Sequence, residues 1–152
     1  IGPGAMLRFY LLFGLGFAAY AVAWTIAWMS LRGHLGGLVG LLIGAFAMAW
    51  IFVRAFDAHG VLVKVALELF LGNAVGYFGG GALETMIARA NTMHLLGVGL
   101  DRPSLRVLAM LVWGLCYGLG FGAGLGLALY HCQAKARALL SGHAQSGNRL
   151  GS

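Results

Sequence analysis

The sequence predicts an all-α integral membrane protein, a four-transmembrane-helix bundle with glycine-zipper packing. Of its 152 residues, 61% are hydrophobic and only 9% are charged, whereas about 25% of the residues in an average soluble domain are charged. Four apolar segments are each long enough to cross a hydrocarbon core of ~30 Å. Many of the 26 glycines recur at every fourth position, which places them along one ridge of a helix, where a neighbouring backbone can approach closely.

One domain accounts for most of the chain. Residues 1–5 (IGPGA) have the character of an added leader, which makes Met6 the natural start, and no signal-peptide cleavage site follows. The four-helix transmembrane domain then covers 6–140, with spans at about 7–31, 35–56, 61–90 and 105–132. Residues 141–152 are polar and contain glycine, which predicts a flexible C-terminal tail.

The first two segments are joined by a tight connection. Trp28 lies near the Arg32 end of the first segment, where an aromatic anchor at a membrane interface is expected. The second segment carries three glycines on one ridge, which we expect to pack against another helix: Gly36, Gly40 and Gly44.

The third segment contains the most informative row of residues. Every fourth position reads Glu68, Gly72, Gly76, Gly80, Glu84. These positions lie along one ridge of a helix, so the three glycines form a smooth groove that is flanked by two carboxylates. The groove predicts close contact with another helix, and the carboxylates are unusual in a membrane segment.

The fourth segment follows the only extended connection, residues 91–104. Pro103 ends any upstream helix, and Ser104 is placed to cap the next one. Gly120 and Gly124 lie on a secondary ridge of this segment. The main ridge predicted to pack against another helix consists of Gly114, Gly118, Gly122 and Gly126.

Glu68 is the leading candidate for function because it lies ~10 Å inside the third segment at 1.5 Å per residue. A carboxylate at that depth must be paired, hydrated or protonated. One interpretation is an ion pair with Lys64, one helical turn earlier. The other is a carboxylate that handles protons or cations, with Asn73 as a nearby hydrogen-bonding or liganding side chain.

Glu84 has two interpretations as well. It follows the glycines at 79–81, where the helix could break or kink. A new helix start there would favour a carboxylate or a bound anion. Otherwise Glu84 is a carboxylate at the membrane interface near Arg89.

Composition and motifs argue against several functional classes. Cys116 and Cys132 lie ~24 Å apart on one helix, which is too far for a disulfide. No histidine lies in the middle of a segment, and no hydrolase, nucleotide-binding or metalloprotease motif occurs. We therefore assign no catalytic residue, metal or cofactor, and an enzyme is disfavoured. The net charge of +6 comes from residues at segment ends, which favours membrane-interface anchoring over nucleic-acid binding.

The predicted function is that of an oligomeric transporter or channel-forming subunit for a small ion or solute, with Glu68 and Asn73 facing the pathway. The alternative is a non-catalytic accessory or assembly subunit of a larger membrane complex, docked through its glycine ridges. The expected partners are the lipid bilayer and either further copies of the chain or that larger complex. An enzyme acting on lipid within the membrane would need a nucleophile or metal cluster that the sequence lacks.

The basic residues give a prediction of orientation. Four spans place both termini on one side of an inner or plasma membrane. The side of the termini holds Arg8, Arg54, Lys64, Lys135, Arg137 and Arg149, and the other side holds Arg32, Arg89, Arg102 and Arg106. The positive-inside rule then puts both termini in the cytoplasm.

Overall fold

A computed structural model describes residues 4–90, 93–95, 98–134 and 137–138. Its elements are α1 (Ala5–Leu31), α2 (Gly33–Ala55), α3 (Leu62–Arg89), β1 (Met93–Leu95), β2 (Val98–Leu100) and α4 (Arg102–Cys132), with a short 3-10 turn, His59–Val61, before α3. In this described part, four helices are long and apolar enough to cross a membrane. The all-helical prediction is confirmed to that extent, while the predicted tail, 141–152, lies outside the described residues.

The helices alternate in direction. A single residue, Arg32, separates α1 from α2, and its φ of 53° with a φ of 58° at Gly33 reverses the chain. The strands β1 and β2 pair antiparallel between α3 and α4. As a result Gly4 and Cys132 lie at one end of the bundle, which we call the terminal end. The α1–α2 turn and the β-hairpin lie at the opposite end, the hairpin end.

Glycines of α2 bring its backbone against α1. A Cβ added at Gly36 or Gly40 would lie 3.1 Å from a Cα atom of α1, and one at Gly44 would lie 3.0 Å from a backbone oxygen. These distances leave almost no room for a side chain. The three facing residues of α1 are Trp28, Trp24 and Tyr20 respectively.

The contact between α3 and α4 is closer still. A Cβ on Gly72 would lie 2.5 Å from the Gly120 oxygen and 2.9 Å from the Gly124 Cα, and one on Gly76 would lie 2.7 Å from the Cys116 oxygen. Gly80 continues the row, against the backbone and ring of Trp113 on α4. The two backbones therefore touch over several helical turns.

The main glycine ridge predicted for α4 points elsewhere. Apart from the neighbouring backbone of α4 itself, no described atom lies within 4 Å of a Cβ built at Gly114, Gly118, Gly122 or Gly126. The secondary ridge of Gly120 and Gly124 faces α3 instead, and packing of the main ridge against a helix of a further chain stays a prediction. Positions two apart differ by about 200° around a helix, so the two ridges lie on opposite sides of α4.

Two details of helix ends also differ from expectation. Asp101, not Ser104, caps α4: its carboxylate accepts a hydrogen bond from the Ser104 backbone N–H at 3.1 Å. Helix α3 runs without interruption through the glycines at 79–81. No new helix N-terminus therefore forms at residues 82–84.

The interior of the bundle centres on α2, whose inner face is almost fully buried. Leu41, Met48 and Phe52 pack there against Val65 and Leu69 of α3. The outer surfaces of the helices remain apolar, with exposed large hydrophobic side chains on every helix.

Candidate functional site

Asn73 is the one polar side chain among the fully buried residues of the described chain, with an exposed fraction of 0%. Its Nδ2 donates a hydrogen bond to the Leu69 oxygen at 2.8 Å. Its Oδ1 therefore faces the Tyr20 hydroxyl, 3.3 Å away. Because an amide oxygen can only accept, Tyr20 is the donor of this bond.

Tyr117 extends this arrangement into a directed chain of hydrogen bonds. The Tyr20 and Tyr117 hydroxyl oxygens are 3.1 Å apart. Tyr20 has one hydroxyl proton, already donated to Asn73, so Tyr117 donates to Tyr20. We call the chain Tyr117–Tyr20–Asn73–Leu69 the polar chain. Its three side chains come from α4, α1 and α3, each at least ~16 Å along its helix from either end.

A cavity of about 270 Å³ lies beside the polar chain, between α1, α3 and α4. Aromatic side chains dominate its lining and none of the lining residues carries a charge. We call it the aromatic crevice. It is lined by Phe17, Tyr20, Ala21, Trp24, Thr25, Tyr77, Trp113 and Tyr117.

The rings of the crevice form walls that meet near right angles. Trp113 and Tyr117 are almost parallel, with an interplanar angle of 5° and centroids 5.7 Å apart, and form one wall on α4. Tyr77 crosses these two rings at 74° and 78°. Trp24 meets Tyr77 at 69°, with centroids 6.3 Å apart. The crevice is therefore lined by aromatic rings from three helices.

A second cavity of about 440 Å³ adjoins the crevice toward the hairpin end and shares Tyr77 and Trp113 with it. His34, Thr85 and Glu84 supply its polar side chains. Glu84 is half-buried, and no ion pair or hydrogen bond to its carboxylate is found in the described chain. We call this space the Glu84 cavity.

Glu68 pairs with a residue that the sequence did not suggest. The Nδ1 of His131 lies 3.0 Å from each Glu68 oxygen and 3.0 Å from the Leu127 oxygen. All three neighbours are acceptors, so Nδ1 carries a proton and donates it. No ion pair between Lys64 and Glu68 occurs among the described residues, and Lys64 is exposed. The pair therefore ties α3 to the end of α4.

The terminal end has a small cavity beside this pair, of about 200 Å³. Asp57 and His59 line it together with His131 and Cys132. Across the described residues, no group of three or more histidine, cysteine, aspartate or glutamate side chains could hold a metal ion. The cavity thus gives His131 access to the terminal end without forming a metal centre.

The structure separates the two residues that were expected to face one pathway. Asn73 belongs to the polar chain, whereas Glu68 belongs to the pair with His131. Sequence reasoning missed the aromatic residues around Asn73. The available signal was a set of aromatic rows at spacing four, which put their members on one helix face: Tyr20, Trp24 and Trp28 on α1, and Trp113, Tyr117 and Phe121 on α4.

Comparison of the chain with protein families, curated proteins and solved structures finds no match. Its function is therefore argued from the geometry of the polar chain, the aromatic crevice and the two carboxylates.

Proposed function

We propose that this chain is a multi-pass integral membrane protein of an inner or plasma membrane, with its four helices crossing the bilayer. The support is the apolar outer surface of every helix. On α1 the exposed side chains include Leu11, Leu15, Val22, Ile26 and Met29. Soluble monomers rarely expose apolar patches of more than a few hundred Å². In a bilayer such a surface faces lipid tails and needs no other partner.

Within the membrane, we propose that the chain is a transporter or channel-forming subunit for a small ion or solute, acting as an oligomer. The carrying observation is the aromatic crevice beside a fully hydrogen-bonded polar chain, midway along three of the four spans. Substrate sites of transporters commonly lie near the bilayer midplane. Polar side chains at that depth are costly and usually functional.

The two carboxylates support a path through the protein. Glu84 lies in the cavity that leads from the crevice to the hairpin end. Glu68 lies ~24 Å away along α3, near the terminal end. Between the crevice and the terminal end, the backbones of α3 and α4 touch, and Glu68 pairs with His131. These two contacts block the proposed path on that side. We propose that transport requires α3 and α4 to separate at that end.

The test is uptake and electrogenic current in proteoliposomes, with a panel of monovalent inorganic ions and small organic solutes. Tyr20→Phe removes the central hydroxyl of the polar chain, and we expect about tenfold slower transport. Tyr130→Phe is the matched control, because Tyr130 is 58% exposed and lies outside the polar chain and the crevice. Transport no faster than in protein-free liposomes for the whole panel would contradict the proposal.

The alternative is an accessory or assembly subunit of a larger membrane complex. The observation that favours it is the outward glycine ridge of α4, where another backbone could approach as closely as α3 does on the opposite side. Native mass spectrometry after mild extraction distinguishes the two roles. A defined hetero-complex that Gly118→Leu disrupts, together with absence of transport, would favour the accessory role.

A further inference from the structure

We infer that the aromatic crevice binds an organic cation, a small ammonium group attached to an apolar body. This inference rests on the proposed function of the crevice as a substrate site and names the class of substrate. The crevice and the Glu84 cavity share two rings. A ligand that moves between the crevice and the hairpin end would therefore pass the Glu84 carboxylate.

The rings provide the first argument. The face of an aromatic ring carries partial negative charge, and cages of such rings bind quaternary ammonium groups. The parallel wall of Trp113 and Tyr117 stands at 74° and 78° to Tyr77. Trp24 closes the space from α1. A cation in the crevice would thus meet rings in several orientations.

The polarity of the hydroxyl groups provides the second argument. Tyr117 donates its proton to Tyr20, and Tyr20 donates its own to Asn73. Both tyrosine oxygens can therefore only accept a further hydrogen bond. The indole Nε1 of Trp24 is buried and has no partner in the described chain, so it offers no accessible donor. The Tyr20 and Tyr117 oxygens therefore suit a positively charged ligand, while the Thr25 and Tyr77 hydroxyls, which also line the crevice, can donate as well as accept.

The distribution of charge provides the third argument. No lysine or arginine lines the crevice or the Glu84 cavity, and Glu84 is the one carboxylate among their described lining residues. An anion would be repelled by that carboxylate, by the ring faces, and by the Tyr20 and Tyr117 oxygens, whose protons are already donated. A neutral ligand could donate a hydrogen bond to Glu84 but would gain no charge–charge attraction from it. A cation is the class that benefits from all three features.

The test uses a pair of ligands that differ only in charge. 4-Hydroxyphenyltrimethylammonium and 4-tert-butylphenol have the same shape, with a charged nitrogen in one and a neutral carbon in the other. The crevice volume of about 270 Å³ lies just below the ~300–1,000 Å³ usual for ligand pockets, so small probes are appropriate. Isothermal titration with protein in nanodiscs, with empty nanodiscs as the blank, should show about tenfold tighter binding of the cation.

Two pairs of variants locate the site. Trp113→Leu should weaken binding of the cation about tenfold, and Trp113→Phe, which keeps a ring, by less. Trp50→Leu is the matched control, since Trp50 is 51% exposed on α2 and lines neither cavity. Glu84→Gln should weaken binding about threefold at low salt and less at high salt. Asp57→Asn, which removes a carboxylate at the terminal end, should leave binding unchanged.

The outcomes separate this inference from the proposed function. Equal affinity for the two ligands would overturn the choice of a cation and leave the crevice as a binding site. If neither ligand binds but transport of inorganic ions still depends on the Tyr20 hydroxyl, the organic-cation inference is overturned. The transport proposal stands in that case. Absence of both binding and transport would overturn both proposals.

Discussion

The Glu68–His131 pair joins two helices through side chains that are 16% and 23% exposed. Replacing either residue with leucine leaves its partner partly buried without its hydrogen-bonding neighbour. We expect a coupling free energy of about 1–2 kcal/mol between Glu68→Leu and His131→Leu. It is measured as the departure from additivity of the unfolding free energies of the single and double variants.

Lys64 supplies the control for this cycle. Lys64→Leu removes the charge that stands one helical turn before Glu68 but makes no ion pair with it in the described chain. Its coupling to Glu68→Leu should stay within about 0.5 kcal/mol. Stronger coupling of Glu68 to Lys64 than to His131 would show that the Glu68 carboxylate pairs with Lys64 instead.

Asp101 gives a pH dependence at the start of α4. Hydrogen bonds from the side chain and backbone N–H of Ser104 lower the pKa of the Asp101 carboxyl. The ionised cap therefore stabilises α4 above the pKa that this carboxyl has in the unfolded chain. This stabilisation is lost as the pH falls through the lower pKa of the folded chain. Hydrogen exchange of the Leu105 and Arg106 amides should accelerate, relative to the intrinsic rate, below about pH 4.

Asp101→Asn is the variant that isolates this effect. Asparagine keeps an oxygen that can cap the helix but cannot titrate. Exchange of the first-turn amides in this variant should show no such acid-dependent acceleration. An unchanged acid dependence would mean that another group governs the fraying.

At the scale of the helices, the glycine contact between α3 and α4 predicts different effects of substitution at nearby positions of α4. A Cβ at Gly120 would collide with the backbone oxygen of Gly72, whereas a Cβ at Gly118 meets no described atom within 4 Å apart from the neighbouring backbone of α4 itself. Gly120→Ala should therefore destabilise the fold by about 1–3 kcal/mol. Gly118→Ala should leave stability unchanged or raise it by up to about 1 kcal/mol through helix propensity.

The two alanine variants share a helix and a gain in helix propensity, so they differ only in what the methyl group touches. Thermal unfolding of the purified protein in one detergent measures the comparison. Equal stability of the two would mean that α4 is rotated relative to the structure. A change of oligomer size in Gly118→Ala with an unchanged unfolding temperature would assign the outward ridge to contacts between chains.

Sequence predicted the helices well because length and apolar composition determine them locally. It also indicated the ridges of α2 and α3, where one glycine row stands out. It did not indicate which side of α4 faces α3, because glycines occupy two opposite ridges and only the partner helix decides which one packs. Glu68 shows the same limit: Lys64 is visible one turn away, but His131 is 63 positions distant in sequence.

The polar chain could be predicted only in part for a related reason. Asn73 stands out as an amide in an apolar segment. Its partner Tyr20 lies 53 positions away, and Tyr117, which bonds to Tyr20, lies 44 positions away, on helices whose rotation the sequence does not determine. Tyrosines are also common in membrane segments as interfacial anchors. Their role beside Asn73 therefore emerges only when three helices are placed together.

For the whole molecule, the distribution of basic residues decides the expected orientation. Among the residues that the structure describes, each end of the bundle holds four lysines or arginines. Lys135 and Arg149, which give the terminal end its predicted excess, lie outside the described part. The terminal end includes Arg8, Arg54, Lys64 and Arg137, and the hairpin end includes Arg32, Arg89, Arg102 and Arg106.

The orientation is tested by labelling single cysteines with a membrane-impermeant maleimide in right-side-out and inverted vesicles. Cys116 and Cys132 are first replaced by alanine, and Ser141→Cys or Ser104→Cys is added to that background. Ser104 lies in the first turn of α4 at the hairpin end, while residue 141 follows the terminal end. We expect the Ser141→Cys protein to react from the cytoplasmic side and the Ser104→Cys protein from the opposite side, because α4 separates the two positions. Reaction of both from one side would contradict a four-span topology, and reaction of each from the reverse side would keep that topology but invert the charge-based orientation.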